Sequence, residues 1–355
     1  MIRPLPLLAG LVALIGLSAC QEAPAEAPKV VTQENLLHTV IELRLYGNPS
    51  DQVFEQTFAK LASIGDRMTD FETTSEVSRI AAQAGIAPVP VSADTLMVVK
   101  RGLAEAQMTN GIFDPTIGPV SHLWHVGDQD PTNPQVPTEA QIRAAQALVN
   151  WKDVVVDDQA GTVFLKRKGM ILDLGGLIKG YALDEALKVS RDAKVTSGLF
   201  NMGRSTIGLL GKKPGNQNWK VGVQDPFASE ASGGYFAVIE ASDITVETSG
   251  PYQKFFMDHG KRYHHIMDPR TGAPAETGLE QVTLLLPLDT TLSDGLSTSC
   301  FILGLEKGMA LVESLPDAAA IFVTSDHKVY LTSRVGSRFQ LKDPNDKTFT
   351  VITKP

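Results

Sequence analysis

Apolar residues recur at helical spacing over 51–68, where Phe54, Phe58 and Leu61 share one face behind Asp51 as N-cap. The same period over 92–109 gathers Leu96, Val99, Leu103 and Ala106 into a stripe. Ser92 or Asp94 caps its start, and Asn110-Gly111 ends it. "SEVSRIAAQAG" (75–85) reads as a short helix from Ser75 to a stop at Gly85, and Thr138–Gln141 as a capping box after the loop 128–137. Further helices are expected at about 178–192 and 293–304. Runs with strand character occupy 162–173, 219–224, 235–240, 245–248 and 281–287, and 319–333 reads as a hairpin turning near Asp326. Strands grouped in this way, not alternating strictly with helices, predict an α+β fold with antiparallel-rich sheets over a doubly wound one. No internal repeat interrupts this pattern.

The N-terminus departs from it. Arg3 precedes an apolar run over 5–17, too short for a comfortable membrane span and of signal-peptide form. The run ends in Leu17-Ser18-Ala19-Cys20, which resembles a bacterial lipobox, and "QEAPAEAPK" follows as a spacer unable to bury a core. The expected organisation is a lipoprotein signal at 1–19, a lipidated Cys20 with a flexible tether to 34, one domain over 35–340, and a tail over 341–355. The net charge of −8 without a polybasic run argues against a nucleic-acid partner. With Cys20 lipidated, Cys300 stands alone in "CFILGL", so no disulfide is expected.

Four stretches carry candidate chemistry. "LDLGGLIKGYALDEA" (172–186) ends an apolar strand at Asp173, then brings two glycines, a helix start near Lys179 and that lysine's charge. This is the general form of a phosphate cradle, and equally that of a Gly-rich turn bearing a surface lysine. "SDGLSTSCFILGL" (293–305) places Asp294, Ser297 and Thr298 on one helix face. Those oxygens suit a hard cation such as Mg²⁺, or they meet the helix dipole and water. "NGIFDPTIGPVSHLWHVG" (110–127) holds an acid-Pro-Thr turn, with Phe113 and Trp124, joined by Phe71, able to stack on a flat ring or to fill core. His122 and His125 lack a nearby acidic partner in sequence and read as structural. In "GKRYHHIMDPRTGAP" (260–274), His264 or His265 near an ordinary pKa could act as general base, or stand as a hairpin residue.

In this order the motifs "SEVSRI", "FDPTIGP", "DLGGLIKGYALD", "TSGPYQKFF", "HHIMDPRTG" and "LSDGLSTSC" resemble the ApbE family of FAD:protein FMN transferases, from about residue 36 to the mid-330s. The resemblance implies transfer of FMN from FAD to a threonine hydroxyl, with release of AMP. It implies FAD contacts at Leu37, Phe71, Ile112, Phe113, Asp114, Asp173, Lys179, Met267 and Arg270. Metal ligands are implied at Asp294 and Thr298, with Ser297 between them and the Gly176 carbonyl beside them. His265 is implied as catalytic base, with Lys179 and Asp173 in the catalytic loop. It also implies an extracytoplasmic acceptor in a membrane redox complex, bearing a Ser/Asp-Gly-x-Ser/Thr-x-Thr type motif.

The sequence departs from the family pattern in places. Arg204 and Ser205 replace the second Gly and the Asp of Asn-x-Gly-Gly-Asp, "LHT" (37–39) replaces Met-Gly-Thr, and position 297 is Ser. An arginine at 204 adds a phosphate contact or fills part of the pocket; the sequence leaves both open. Two alternatives to transfer also stand, an FAD pyrophosphatase giving FMN and AMP, and a non-catalytic FAD-binding lipoprotein.

Overall fold

The computed structural model describes residues 27–70, 72–126, 134–228, 234–288, 294–345 and 347–353. Its centre is a nine-stranded sheet in the order β1 (Lys29–Leu36), β2 (Thr39–Leu45), β6 (Gly198–Met202), β7 (Thr206–Leu210), β10 (Ile244–Ser249), β15 (Leu279–Pro287), β16 (Ala319–Thr324), β17 (Lys328–Leu331), β19 (Thr350–Thr353). Neighbours run antiparallel except β17 and β19, which are parallel. A second sheet orders β18 (Phe339–Leu341), β9 (Tyr235–Ala241) and β8 (Trp219–Gln224). A third orders β3 (Val89–Pro90), β5 (Thr162–Leu165) and β4 (Val154–Asp157), and two ribbons pair β11 (Phe255–Asp258) with β12 (Lys261–His264) and β13 (Met267–Asp268) with β14 (Ala273–Pro274).

Period-two alternation decides what lies on each face of the central sheet. Leu285, Ile321 and Val323 pack with Val221, Phe236 and Ile239 of the second sheet. From the opposite face, Val282, Leu284 and Leu286 meet Leu296, Phe301 and Val312 of α7 (Asp294–Ser314). Farther along that sheet, Ile41, Leu43 and Phe200 pack with Phe58 and Leu61 of α1 (Asp51–Met68) and Leu183 and Leu187 of α6 (Gly175–Asp192). Each such side chain taken fully out of water stabilises the fold by about 1.5–3 kcal/mol. The arrangement is the expected α+β class.

Helix ends refine the reading. Ser50, not Asp51, is the extended N-cap of α1; Asp51 is its first helical residue and pairs with Lys29. Ser75 Oγ caps α2 (Glu76–Ala82) by accepting from the Ser78 N–H at 2.9 Å. Ser92 caps α3 (Ala93–Met108), because Asp94 is turned towards Lys60, Arg67 and Tyr181. The capping box opens α5 (Glu139–Gln146), which packs on α4 (Gly118–Trp124).

Elsewhere the elements differ in extent. The strand expected over 162–173 stops at Leu165, since Gly169 turns the chain at φ +89°. α6 begins at Gly175, not near Lys179, because Asp173 Oδ1 accepts the Gly175 N–H at 2.9 Å. α7 runs past 304, with a kink where Gly304 adopts φ 77°, ψ −178°. β1 begins at Lys29, inside the stretch read as tether, and β19 lies inside the stretch read as tail. α7 is long and apolar enough to cross a membrane by composition, yet its hydropathy serves packing on β15 and β16.

Candidate active site

The Gly-rich turn is joined to the FDPT turn by backbone and side chain. The Asp173 N–H donates to the Pro115 carbonyl at 2.8 Å, and a single parallel bridge pairs Ile117 with Ile171. Asp114 organises its own turn: Oδ1 accepts from the Thr116 N–H at 2.8 Å and Oγ1 at 2.6 Å, and Oδ2 from the Trp151 N–H at 3.0 Å. The Phe113 ring stands where a Cβ on Gly176 would lie 3.2 Å from Cε2, so aromatic and glycine are in contact. Asp173 accepts from Ser121 Oγ at 2.8 Å as well as from Gly175.

Beside Asp173, His122 Nε2 and Asp70 Oδ2 lie 2.6 Å apart. That hydrogen bond raises the His122 pKa above its ordinary value. Burial, followed by the Asp70 charge, pushes the Asp173 pKa up. Asp173 keeps part of its surface open to solvent, which screens the shift and leaves its direction.

The second wall is the hairpin β11–β12 and the bend after it. Pairing of Phe255 with His264 sets one hairpin face, and Phe256 with Tyr263 the other. Tyr263 stacks on Phe256 and Trp124, with centroids 5.2 and 5.5 Å apart. His264 is buried: Nε2–H donates to the Ala275 carbonyl at 2.9 Å and Nδ1 accepts from the Ile266 N–H at 3.2 Å. Burial lowers its pKa to about 4.

His265 has its ring on the exposed side, with Nδ1 3.2 Å from the Lys254 carbonyl. A carbonyl accepts only, so Nδ1 carries the proton and Nε2 presents a lone pair. The surrounding protein lowers the His265 pKa to about 4, first by desolvation, with the Lys254 and Lys179 charges adding to it. The exposed ring edge moderates that value, and what the chemistry uses is its direction, towards neutral imidazole. Lys179 is thus within electrostatic reach of His265.

The third wall is the start of α7. Ser249 Oγ, at the end of β10, lies 2.7 Å from Ser297 Oγ and 3.4 Å from Thr298 Oγ1. Hydroxyl oxygens gather here, and oxygen donors fit a hard divalent cation better than zinc. Among the described residues no cluster of three His, Cys, Asp or Glu side chains forms a metal site.

A family model described as "ApbE family" matches residues 37–322. The chain belongs to the ApbE family. An FAD:protein FMN transferase from Klebsiella pneumoniae (strain 342) is 33% identical over 317 residues, covering 89% of this chain and 95% of that one. One from Treponema pallidum is 31% identical over 344 residues, covering 93% and 94%. The crystal structure of the ApbE protein from Thermotoga maritima superposes with a TM-score of 0.75 at 29% identity, covering 84% of this chain and 94% of that one.

Within this ApbE fold the expected residues fall into two groups. Phe113, Asp173 and Gly176 meet where the two turns join, the Lys179 charge acts on His265, and Ser297 and Thr298 meet Ser249 at the start of α7. Others have structural tasks. Arg270 is committed to a corner: its Nε and Nη2 donate to Asp268, and Nη2 also to the Ile302 carbonyl at 3.2 Å. The carboxylate of Asp114 is spent on its turn, and Met267 is buried with Trp124 and Phe256. Ile112 packs against the core under α7, and Leu37 packs towards Gly65 of α1. Phe71 and Cys20 lie outside the described residues, as does the side chain of Asp294.

Sequence reasoning missed Asp70, Ser121 and Ser249. His122 was read as structural for want of an acid, but Asp70 stands 52 residues earlier in the chain, where no local signal joins them. Ser249 was visible in "TSGPYQKFF"; its α7 partners were not.

Proposed function

We propose that the chain is an FAD:protein FMN transferase, moving FMN from FAD to a threonine hydroxyl of an extracytoplasmic protein and releasing AMP. The observation that carries this reading is His265, whose Nδ1–H donates to Lys254 O while Nε2 stays free of a proton beside the Lys179 charge. Nε2 accepts the threonine proton as the hydroxyl oxygen bonds to the FMN phosphorus. The anhydride P–O bond breaks, and AMP leaves with the electron pair. Lys179 supplies positive charge for phosphate oxygens, and the first-turn amides of α6 add partial positive charge. Asp173, held by Ser121 and Gly175, fixes the Gly-rich turn against the FDPT turn.

Mg²⁺ held by Asp294, Thr298 and the Gly176 carbonyl would polarise the diphosphate and neutralise developing charge. Cys20 would carry a lipid, which sets the enzyme in the cell envelope, in the periplasm or on the outer face of a membrane, with redox-complex subunits as acceptors.

The test is incubation of the protein with FAD, Mg²⁺ and a threonine-bearing acceptor domain. Protein-bound flavin fluorescence on a denaturing gel, lost in Asp294→Ala and on chelation, is the expected result. Free FMN and AMP without labelled acceptor would instead identify a hydrolase, and FAD intact after hours would remove the catalytic reading.

A further inference from the structure

The turn Gly203-Arg204-Ser205 joins β6 to β7 at the end of the sheet that carries the site. The Gly203 N–H donates to the Val40 carbonyl at 3.0 Å, and a Cβ there would lie 2.4 Å from Thr39 Oγ1. On the other side the Ser205 carbonyl accepts from the Thr248 N–H at 2.8 Å. Thr248 precedes Ser249, the residue that reaches Ser297 and Thr298 at the start of α7. Arg204 is therefore pinned between two anchors, one of them a single residue from the oxygen-lined wall.

Its backbone is costly for the residue it carries. Arg204 has φ +66°, a left-handed conformation that favours glycine, and its N–H donates to Asn201 Oδ1 at 2.8 Å. The adjoining β1–β2 turn is strained in the same sense, with Leu37 at φ +53° and His38 at φ +56°. The Arg204 side chain is exposed, and among the described residues its guanidinium meets no carboxylate and no hydrogen-bond acceptor. A strained backbone that holds a cation without a protein partner, one hydrogen bond from the strand end that reaches α7, points to a ligand for that cation.

We infer that Arg204 is a phosphate-binding residue, its guanidinium taking anionic oxygens of the nucleotide bound at the site. The inference rests on the transferase reading above. A planar guanidinium matches two oxygens of one phosphate, which Lys179 as a point charge does not. The phosphate belongs either to the FAD diphosphate or to the AMP that leaves.

The test titrates the full-length protein with FAD by flavin fluorescence and displaces FAD with AMP, adenosine or riboflavin, in wild type, Arg204→Gln and Arg204→Gly. Both variants are expected to weaken FAD binding by about tenfold, leave riboflavin binding unchanged and lower the salt dependence. A matching loss of AMP affinity places Arg204 on the adenylate phosphate; its preservation places it on the flavin phosphate. Arg204→Gly should melt no lower than wild type, because glycine relieves the left-handed strain, so a binding loss is not a folding loss. FAD binding changed by less than about threefold, or tightened in Arg204→Gly as for a side chain that merely fills the cleft, overturns the inference alone. Wild-type protein that binds neither FAD nor AMP overturns the transferase reading and this inference together.

Discussion

Two adjacent histidines show how strongly register decides chemistry. His264 closes β12 inside the core, where both ring nitrogens are bonded to backbone, whereas the bend after β12 leaves His265 with one free nitrogen. "HHIMDP" gives no sign of which is which, since the distinction belongs to the Ala275 and Lys254 carbonyls, each eleven residues away.

Burial lowers the pKa of both rings below the ordinary value of about 6.5, to about 4 for the buried His264. The unfolded chain therefore holds more protons in that window, and stability present above pH 6.5 is lost as pH falls towards 4. His122, raised by Asp70, works in the opposite sense: its contribution is full below 6.5 and fades as pH climbs through its raised value. Urea midpoints measured from pH 7 to pH 4 are expected to decline, and His264→Gln to flatten that decline. The acid limb of kcat/KM should fall well below pH 6.5, and His265→Ala should cost about 10²–10⁴ in kcat with an unchanged melting temperature. A limb centred on an ordinary imidazole pKa would remove the low-pKa base.

At the scale of elements, α2, α3 and α5 were legible because their caps are local: Ser75, Ser92 and the Thr138–Gln141 box stand where the sequence places them, whereas α4, uncapped by a side chain, was not. The segment 166–173 was not, because its extended shape comes from contact with the FDPT turn through Ile171 and Asp173, not from a ladder of its own. Gly118 measures that contact. A Cβ there would lie 2.6 Å from Ile171 Cγ2 and 2.7 Å from the Ile171 carbonyl oxygen. The backbone oxygen cannot swing aside, so Gly118→Ala should destabilise by about 1–3 kcal/mol in chemical denaturation. It should also raise KM for FAD, as the two turns separate. An unaltered KM would mean that the turns act independently.

For the whole molecule, the sheet order lay beyond the sequence, since strands such as β7 and β10 pair across more than thirty residues. The family motifs gave the architecture where periodicity could not. Their gaps also hid the C-terminal strand: β19 continues the sheet beyond β17, and Phe349 just before it stacks on Phe236 with centroids 4.2 Å apart. Deleting 348–355 strips a large side chain from the second core and bares the β17 edge. The expected cost is about 3–5 kcal/mol, seen as a lower melting temperature and as light scattering on heating. A melt identical to the full chain would show that this strand adds nothing.

Cys300, on the inner face of α7, sits fully buried between that helix and the sheet, and burial drives its thiol towards the protonated form. A maleimide or an oxidant finds no thiolate there until helix and sheet part. Its modification rate is thus a native clock for opening of that core, readable by mass spectrometry without any introduced label.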